Sequence, residues 1–341
     1  MIIVFCYTQH SFSHAMSLLS ALLLTLLGII LMGKGSDWLT DSLIPIARRL
    51  GVSGVAVGLI LVSVAVSLPE ILVAVLATLQ GYPGIALGVV LGSIICNIGL
   101  MTGLCAIIRP LRVKRTIILR DGIFSIIIPI LIFAIGASGE ITRLEGGALL
   151  LLFIPYLTNI FLQEREQTLE QRSEDMREIE MELDFIGINF GKLKSGWASF
   201  SLGTAMLLFG THIFSSQLIW FAGSFGIDEL IIGLTIGALG PSLPNIFAAY
   251  QATKKGMGDI AVSETLGANV FTLLVTLGIA AMLSPVAISS RWLSFELPAL
   301  IIMSFLLFFF LLTKHTVSRP EGAILLLGYL SIVAIQIFIA L

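Results

Sequence analysis

The sequence predicts an all-α polytopic membrane protein: ten transmembrane helices built as two inverted five-helix repeats. Three observations carry that expectation. The 341 residues are 57% hydrophobic and only 12% charged, about half the charged fraction of soluble domains, and the mean hydropathy is +1.04. Apolar stretches near the roughly 20 residues a spanning helix needs recur along the chain. Third, the sequence matches itself when shifted by 175 residues.

By length and apolarity the spans fall at about 16–34, 54–79, 84–108, 117–137 and 145–163, then at 197–222, 229–253, 258–281, 293–313 and 321–340. Residues 1–15 precede the first span as an N-terminal extension without the basic region of a signal peptide. The first repeat is 16–163, a charged linker follows over 164–196, and the second repeat is 197–341. Basic residues cluster in alternate loops: Lys34, Arg48 and Arg49; Arg109, Arg112, Lys114 and Arg115; the linker; Lys254 and Lys255; Lys314 and Arg319. The remaining turns carry little beyond Arg143 and Arg291. The positive-inside rule therefore puts the linker in the cytoplasm and both termini outside, as expected for a bacterial inner membrane. The net charge of −2 decides nothing here. Cys6, Cys96 and Cys105 lack metal-ligand spacing and read as small apolar side chains.

The internal match is densest where "GLILVSVAVSLPEILVAVLATLQG" (58–81) lies over "GLTIGALGPSLPNIFAAYQATKKG" (233–256), with ten of 24 positions identical. Gly92 falls over Gly267, Gly103 over Gly278 and Asp121 over Glu296; after a one-residue slip, "RLEGGALLL" at 143 falls over "RPEGAILLL" at 319. Five helices per copy is an odd number, so the copies insert with opposite orientation. Ser67-Leu68-Pro69 and Ser242-Leu243-Pro244 interrupt the second helix of each copy. Each proline removes a backbone donor and frees carbonyls in the preceding turn. Such groups are tolerated at membrane depth only where buried in protein or bound to something. A proline can simply kink a packed helix, but paired interruptions in an inverted repeat point to a secondary transporter with its site near the bilayer midplane.

Glu70 is the most informative side chain, because a carboxylate within a spanning helix costs about 2.5–3.5 kcal/mol on insertion scales and so marks a functional site. Around it the sequence offers hard oxygens: Ser67, the carbonyls freed by Pro69, and Ser93 and Asn97, four apart on the next helix. Oxygen donors suit Ca2+, Na+ or Mg2+. In the second copy Ser242 and Asn245 occupy the matching positions, and Ala268 and Thr272 replace Ser93 and Asn97. Glu264 precedes them on the same stripe and could line the ion path or only pack. Asp259 is expected to cap its helix, Asp121 and Glu296 to favour helix dipoles, and His212 to be a lone histidine within its helix.

These repeats resemble those of the calcium/cation antiporter superfamily, which contains the sodium/calcium exchangers. Members carry a pattern close to G-L-T-I-V-A-x-G-T-S-L-P-E followed by G-S-N-I-x-N in each half. Here the first copy reads "GLILVSVAVSLPE" and "GSIICN", the second "GLTIGALGPSLPN" and "GANVFT". The resemblance implies ten helices, a central cation site, and Na+ or H+ gradients driving Ca2+ by alternating access. It places the acidic ligand on Glu70, serines on Ser67 and Ser242, and polar ligands on Ser93 and Asn97.

The departures bear on the cargo. The second acid of the pattern is Asn245, the next helix offers Thr272 and Ala268, and Val66 and Pro241 stand where the pattern has threonine. Losing one charge about 4 Å from a cation forfeits on the order of 4 kcal/mol at an effective dielectric near 20. The expected function is therefore a cation antiporter with altered selectivity or stoichiometry, moving Ca2+, Na+, K+ or H+. The alternative is a non-transporting membrane scaffold or sensor that binds an ion. No nucleophile–base pair points to an enzyme. The expected partners are inorganic cations and the lipid bilayer, with no organic cofactor and no nucleic acid.

Overall fold

The computed structural model describes residues 18–49, 55–166 and 196–340. The expected extension 1–15, Cys6 and nearly all of the linker 164–196 lie outside the described residues. So do the side chains of Val66 and Asp259.

The helices are α1 (Leu18–Arg49), α2 (Val55–Leu79), α3 (Pro83–Ile108), α4 (115–136), α5 (Arg143–Glu166), α6 (Trp197–Phe225), α7 (Glu229–Lys254), α8 (258–283), α9 (Trp292–Lys314) and α10 (Arg319–Ala340). Among the described residues, eight stretches are long and apolar enough to cross a membrane: Leu18–Ser42, Pro83–Ile108, Ile118–Gly136, Trp197–Phe225, Glu229–Lys254, Ala261–Leu283, Trp292–Lys314 and Arg319–Phe338. The other two expected spans, 54–79 and 145–163, are helical as α2 and α5 but are not among the eight. Large apolar side chains, including Leu19, Leu23, Leu26, Ile302, Phe305 and Leu327, face outward in numbers that water would not tolerate and lipid does. The chain is an integral membrane protein.

Burial separates an inner layer from an outer one. The α3 span is 89% buried, that of α8 78% and that of α7 67%, against 28% for α10. The polar positions singled out in the sequence lie on these inner helices and on α2.

Repeat-equivalent elements pair crosswise rather than with themselves. Strand β1 (Leu111–Arg112) pairs antiparallel with β4 (Thr316–Val317), and β2 (Glu140–Ile141) with β3 (Val286–Ala287). The repeat shift carries β1 onto β3 and β2 onto β4, so one pairing is the image of the other. Helices α3 and α5 obey the same rule with α10 and α8, whereas α1 packs on its own repeat mate α6. A Cβ on Gly103 of α3 would stand 2.9 Å from the Gly322 carbonyl of α10, and one on Gly278 of α8 would stand 3.0 Å from the Gly146 carbonyl of α5. On the outside, α1 and α6 run against each other along most of their length. There a Cβ on Gly35 would meet the Gly203 carbonyl at 2.7 Å. Helix starts repeat as well: Glu145 accepts from the Thr142 N–H at 2.7 Å, and Glu321 from the Ser318 N–H at 2.7 Å. Each forms the carboxylate arm of a capping box.

Two sequence expectations change. The helices carrying the paired prolines are not unwound. Pro69 lies inside α2, and Pro241 and Pro244 lie inside α7. Helix continues because the lost donors leave only the Ala65, Gly237 and Gly240 carbonyls without their i+4 partners, and a π-helical turn over Gly233–Gly237 widens α7 just before Pro241. Asp121 and Glu296, expected to be explained by helix dipoles, have arginine partners as well. Both are fully buried in π-helical turns and ion-paired: Arg120 grips Asp121 through two 2.7 Å bonds, and Arg291 meets Glu296 at 3.2 Å. The Tyr156 hydroxyl also donates to Asp121 at 3.1 Å.

Candidate functional site

The site is built on α2, α3, α7 and α8. Helix α2 packs on α3 and α8, and α7 packs on α3 and α8. The small residues of the repeat allow this. A Cβ on Gly92 of α3 would clash with the Leu234 carbonyl of α7 at 2.6 Å, so backbone oxygens and short polar side chains come within reach of one another.

Helical spacing then sets the faces. Ser67 and Glu70 are three apart on α2, as are Ser242 and Asn245 on α7, and Ser93 and Asn97 are four apart on α3. All six are buried, as are Thr272 and Glu264 on α8. The halves meet where Ser242 Oγ donates to Glu70 Oε1 at 3.2 Å, across 172 positions of sequence. This bond joins the serine of one proline-containing helix to the acid of the other.

Glu70 Oε2, Ser67 Oγ, Ser93 Oγ and Asn97 Oδ1 are buried and have no hydrogen-bond partner among the described residues. Leaving one such group unsatisfied costs about 1–3 kcal/mol, and more for a charged one. These four, a carboxylate oxygen and three neutral ones on α2 and α3, form a set of hard oxygens of the kind that holds Na+ or Ca2+. The donor chemistry fits a cation.

The remaining predicted positions are Glu264, Ala268 and His212. Glu264 lies eight residues before Thr272 on α8, or about 12 Å by helical rise. At that separation a second charge acts on a cation beside Thr272 with only about 1.4 kcal/mol at an effective dielectric near 20. Glu264 instead comes within electrostatic reach of Cys105 on α3. Ala268 is buried and offers no oxygen from its side chain. His212 is exposed on the outer surface of α6.

Four polar residues escaped the sequence reading. Asn269 is 1% exposed and both of its amide atoms lack partners. Thr276 is fully buried with an unpartnered hydroxyl. Thr102 and Thr265 join α3 to α8 through a 2.8 Å hydroxyl contact. Asn269 had a signal, since "GAN" sets it at the asparagine of the G-S-N pattern; the threonines had none, because a lone hydroxyl in a helix usually bonds its own backbone.

The family model described as sodium/calcium exchanger protein matches residues 20–162 and 195–338, most of the chain. The chain belongs to the sodium/calcium exchanger family. Among its relatives, this exchanger is 30% identical over 345 residues to sodium/calcium exchanger MaX1 of Methanosarcina acetivorans, covering 93% of this chain and 98% of the relative. It is 30% identical over 270 residues to inner membrane protein YrbG of Escherichia coli, covering 79% and 81% of the two chains. Its fold is similar to that of the sodium-calcium exchanger NCX_Mj soaked with 10 mM Na+ and zero Ca2+, with a TM-score of 0.63 and 27% identity over 92% of this chain and 98% of that one. The exchanger described here is a cation antiporter of this type, not an enzyme.

Proposed function

We propose that this antiporter works by alternating access around one midplane cation site in which Ser67, Glu70, Ser93, Asn97, Ser242, Asn245 and Thr272 supply the oxygens. Its ion selectivity or stoichiometry differs from that of a site with two acids. The observation that carries the reading is the Ser242–Glu70 hydrogen bond, which brings both halves to one carboxylate whose second oxygen has no partner among the described residues. With Asn245 opposite, a divalent ion is half neutralised, whereas a monovalent ion is fully balanced. The cargo is accordingly Na+ or Ca2+ with fewer coupled charges, with K+ or H+ as further exchange partners. Glu264 lines the ion path on the cytoplasmic side and is the candidate to restore the charge missing at Asn245.

The architecture we propose is ten transmembrane helices in two inverted five-helix halves, 16–163 and 197–341, with the extension 1–15 before them and the linker 164–196 between. The crosswise pairing of β1 with β4 and of β2 with β3 supports it, as do the two matched family segments. The distribution of Lys and Arg puts both termini outside and the linker in the cytoplasm. Similarity to a bacterial inner membrane protein supports an inner-membrane location.

Counterflow in proteoliposomes, with Ca2+, Na+, K+ and the pH gradient varied independently, tests the reading. Glu70→Gln is expected to abolish exchange of every cation carried; unchanged fluxes of Ca2+, Na+ and K+ overturn it. The absence of acid at Asn245 and of serine at Ala268 favours a second reading, an ion-binding scaffold or sensor. Cation binding at equilibrium without counterflow would establish that reading instead.

A further inference from the structure

Asn97 offers its side-chain oxygen to the site while its main-chain carbonyl is held from behind. The π-helical turn Asn97–Thr102 opens the α3 ladder at this residue, and Thr102 Oγ1 donates to the Asn97 carbonyl at 3.0 Å. From α8, Thr265 Oγ1 lies 2.8 Å from Thr102 Oγ1 and 3.4 Å from the same carbonyl. It also donates to the Ala261 carbonyl at 2.8 Å. Both threonines are fully buried, so no water competes for these bonds. Two hydroxyl protons are thus shared among three contacts, those to the Asn97 carbonyl, to the Ala261 carbonyl and between the hydroxyls, which couples the rotamers of the two threonines. Asn97 Oδ1, meanwhile, has no partner among the described residues.

The arrangement occurs at one end of the site. The repeat shift carries Thr102 onto Leu277 and Thr265 onto Val90, both fully buried and apolar. Packing alone fills those positions, so helix contact does not require the hydroxyls. The hydroxyls stand instead where the neighbouring ligand is the long, rotatable Asn97; its repeat mate Thr272 is short and has a single χ angle.

We propose that Thr102 and Thr265 are positioning residues for cation binding: together they hold the Asn97 backbone so that its side-chain oxygen points at the cargo. The proposal rests on the reading of Asn97 as a cation ligand. Removing either hydroxyl leaves Asn97 in place but lets its turn relax, which weakens cation affinity more than it slows translocation.

Ca2+ and Na+ are each titrated against purified full-length protein in nanodiscs, and exchange is followed in proteoliposomes. Thr102→Val and Thr265→Val are expected to raise the half-saturating concentration of the bound cation roughly fivefold to tenfold with little change in maximal rate. Thr102→Ser and Thr265→Ser should restore it. In an Asn97→Ala background the valine substitutions should have no further effect, since the positioned oxygen is gone. Wild-type affinity in both valine variants overturns the proposal, as does a loss that adds in full to that of Asn97→Ala, which marks a packing role. If Asn97→Ala itself leaves affinity unchanged, the ligand assignment fails first, and the proposal falls with it.

Discussion

Glu70 has one oxygen bonded to Ser242 of the other half and the second without a partner among the described residues. That division makes the residue opposite it the natural point at which to alter selectivity. Asn245→Asp introduces a carboxylate where the side chain is now neutral. A charge gained about 4 Å from the ion is worth on the order of 4 kcal/mol at an effective dielectric near 20, before desolvation reduces it. Calorimetry should therefore show Ca2+ affinity rising by a larger factor than Na+ affinity; equal factors would mean that Asn245 does not face the cation. Ser242→Ala makes the smaller complementary change. It removes one hydrogen bond to a charged group, about 1.5–3 kcal/mol, and should weaken cation binding without abolishing it. At this scale the sequence was a good guide to groups and a poor guide to their partners. Ser67, Glu70, Ser93 and Asn97 announced themselves as polar residues in apolar helices. The Thr102–Thr265 contact spans 163 positions and follows no spacing rule. Asp121 and Glu296 were legible as a pair, but their burial against arginines depends on the tertiary packing of α4 and α9.

Helices bring these groups together only because their backbones approach closely. The contact of α1 with α6 is the clearest case. Gly35 and Gly203 leave no room for a side chain, and a larger residue in such a packed interface costs about 1–3 kcal/mol. Gly35→Val and Gly203→Val should each lower the thermal midpoint in detergent by several degrees. Gly147→Ala, where nothing lies within 4 Å of the added Cβ, should not. An unshifted midpoint in the first two would show that the α1–α6 contact yields freely. The proline-bearing helices teach the opposite lesson about legibility. Pro69, Pro241 and Pro244 predicted unwound segments, yet α2 and α7 stay helical. A proline costs a buried helix one donor and one steric contact; α7 has a π-helical turn just before Pro241, whereas α2 carries Pro69 within regular α-helix. Periodicity showed where the prolines lie, whereas the neighbouring helices determined what the backbone did there.

Across the whole molecule, the 175-residue shift was legible because both copies kept Ser-Leu-Pro and the spaced glycines. How the copies join was not legible, since a repeat is equally compatible with two halves side by side. The structure interlocks them through α3 with α10, α8 with α5, and both strand pairs. The proposed topology gives a prediction at this scale. Single cysteines placed in the linker at Ser173 and after Leu341 should be labelled by an impermeant thiol reagent from opposite sides of the membrane. Labelling from the same side would remove the odd number of crossings in the second half.

The crosswise strands also bear on how the protein is made. Leu111 pairs with Val317, and these residues are 206 positions apart. At roughly 5–20 residues per second of synthesis, the ribosome needs on the order of 10–40 seconds to supply the partner of β1. During that interval the first half is already leaving the ribosome with a strand edge, a helix face and Glu70 all lacking their counterparts. Birth of this antiporter is thus a race between translation and quality control, and a nascent chain that stalls within the second copy leaves the first unable to complete itself.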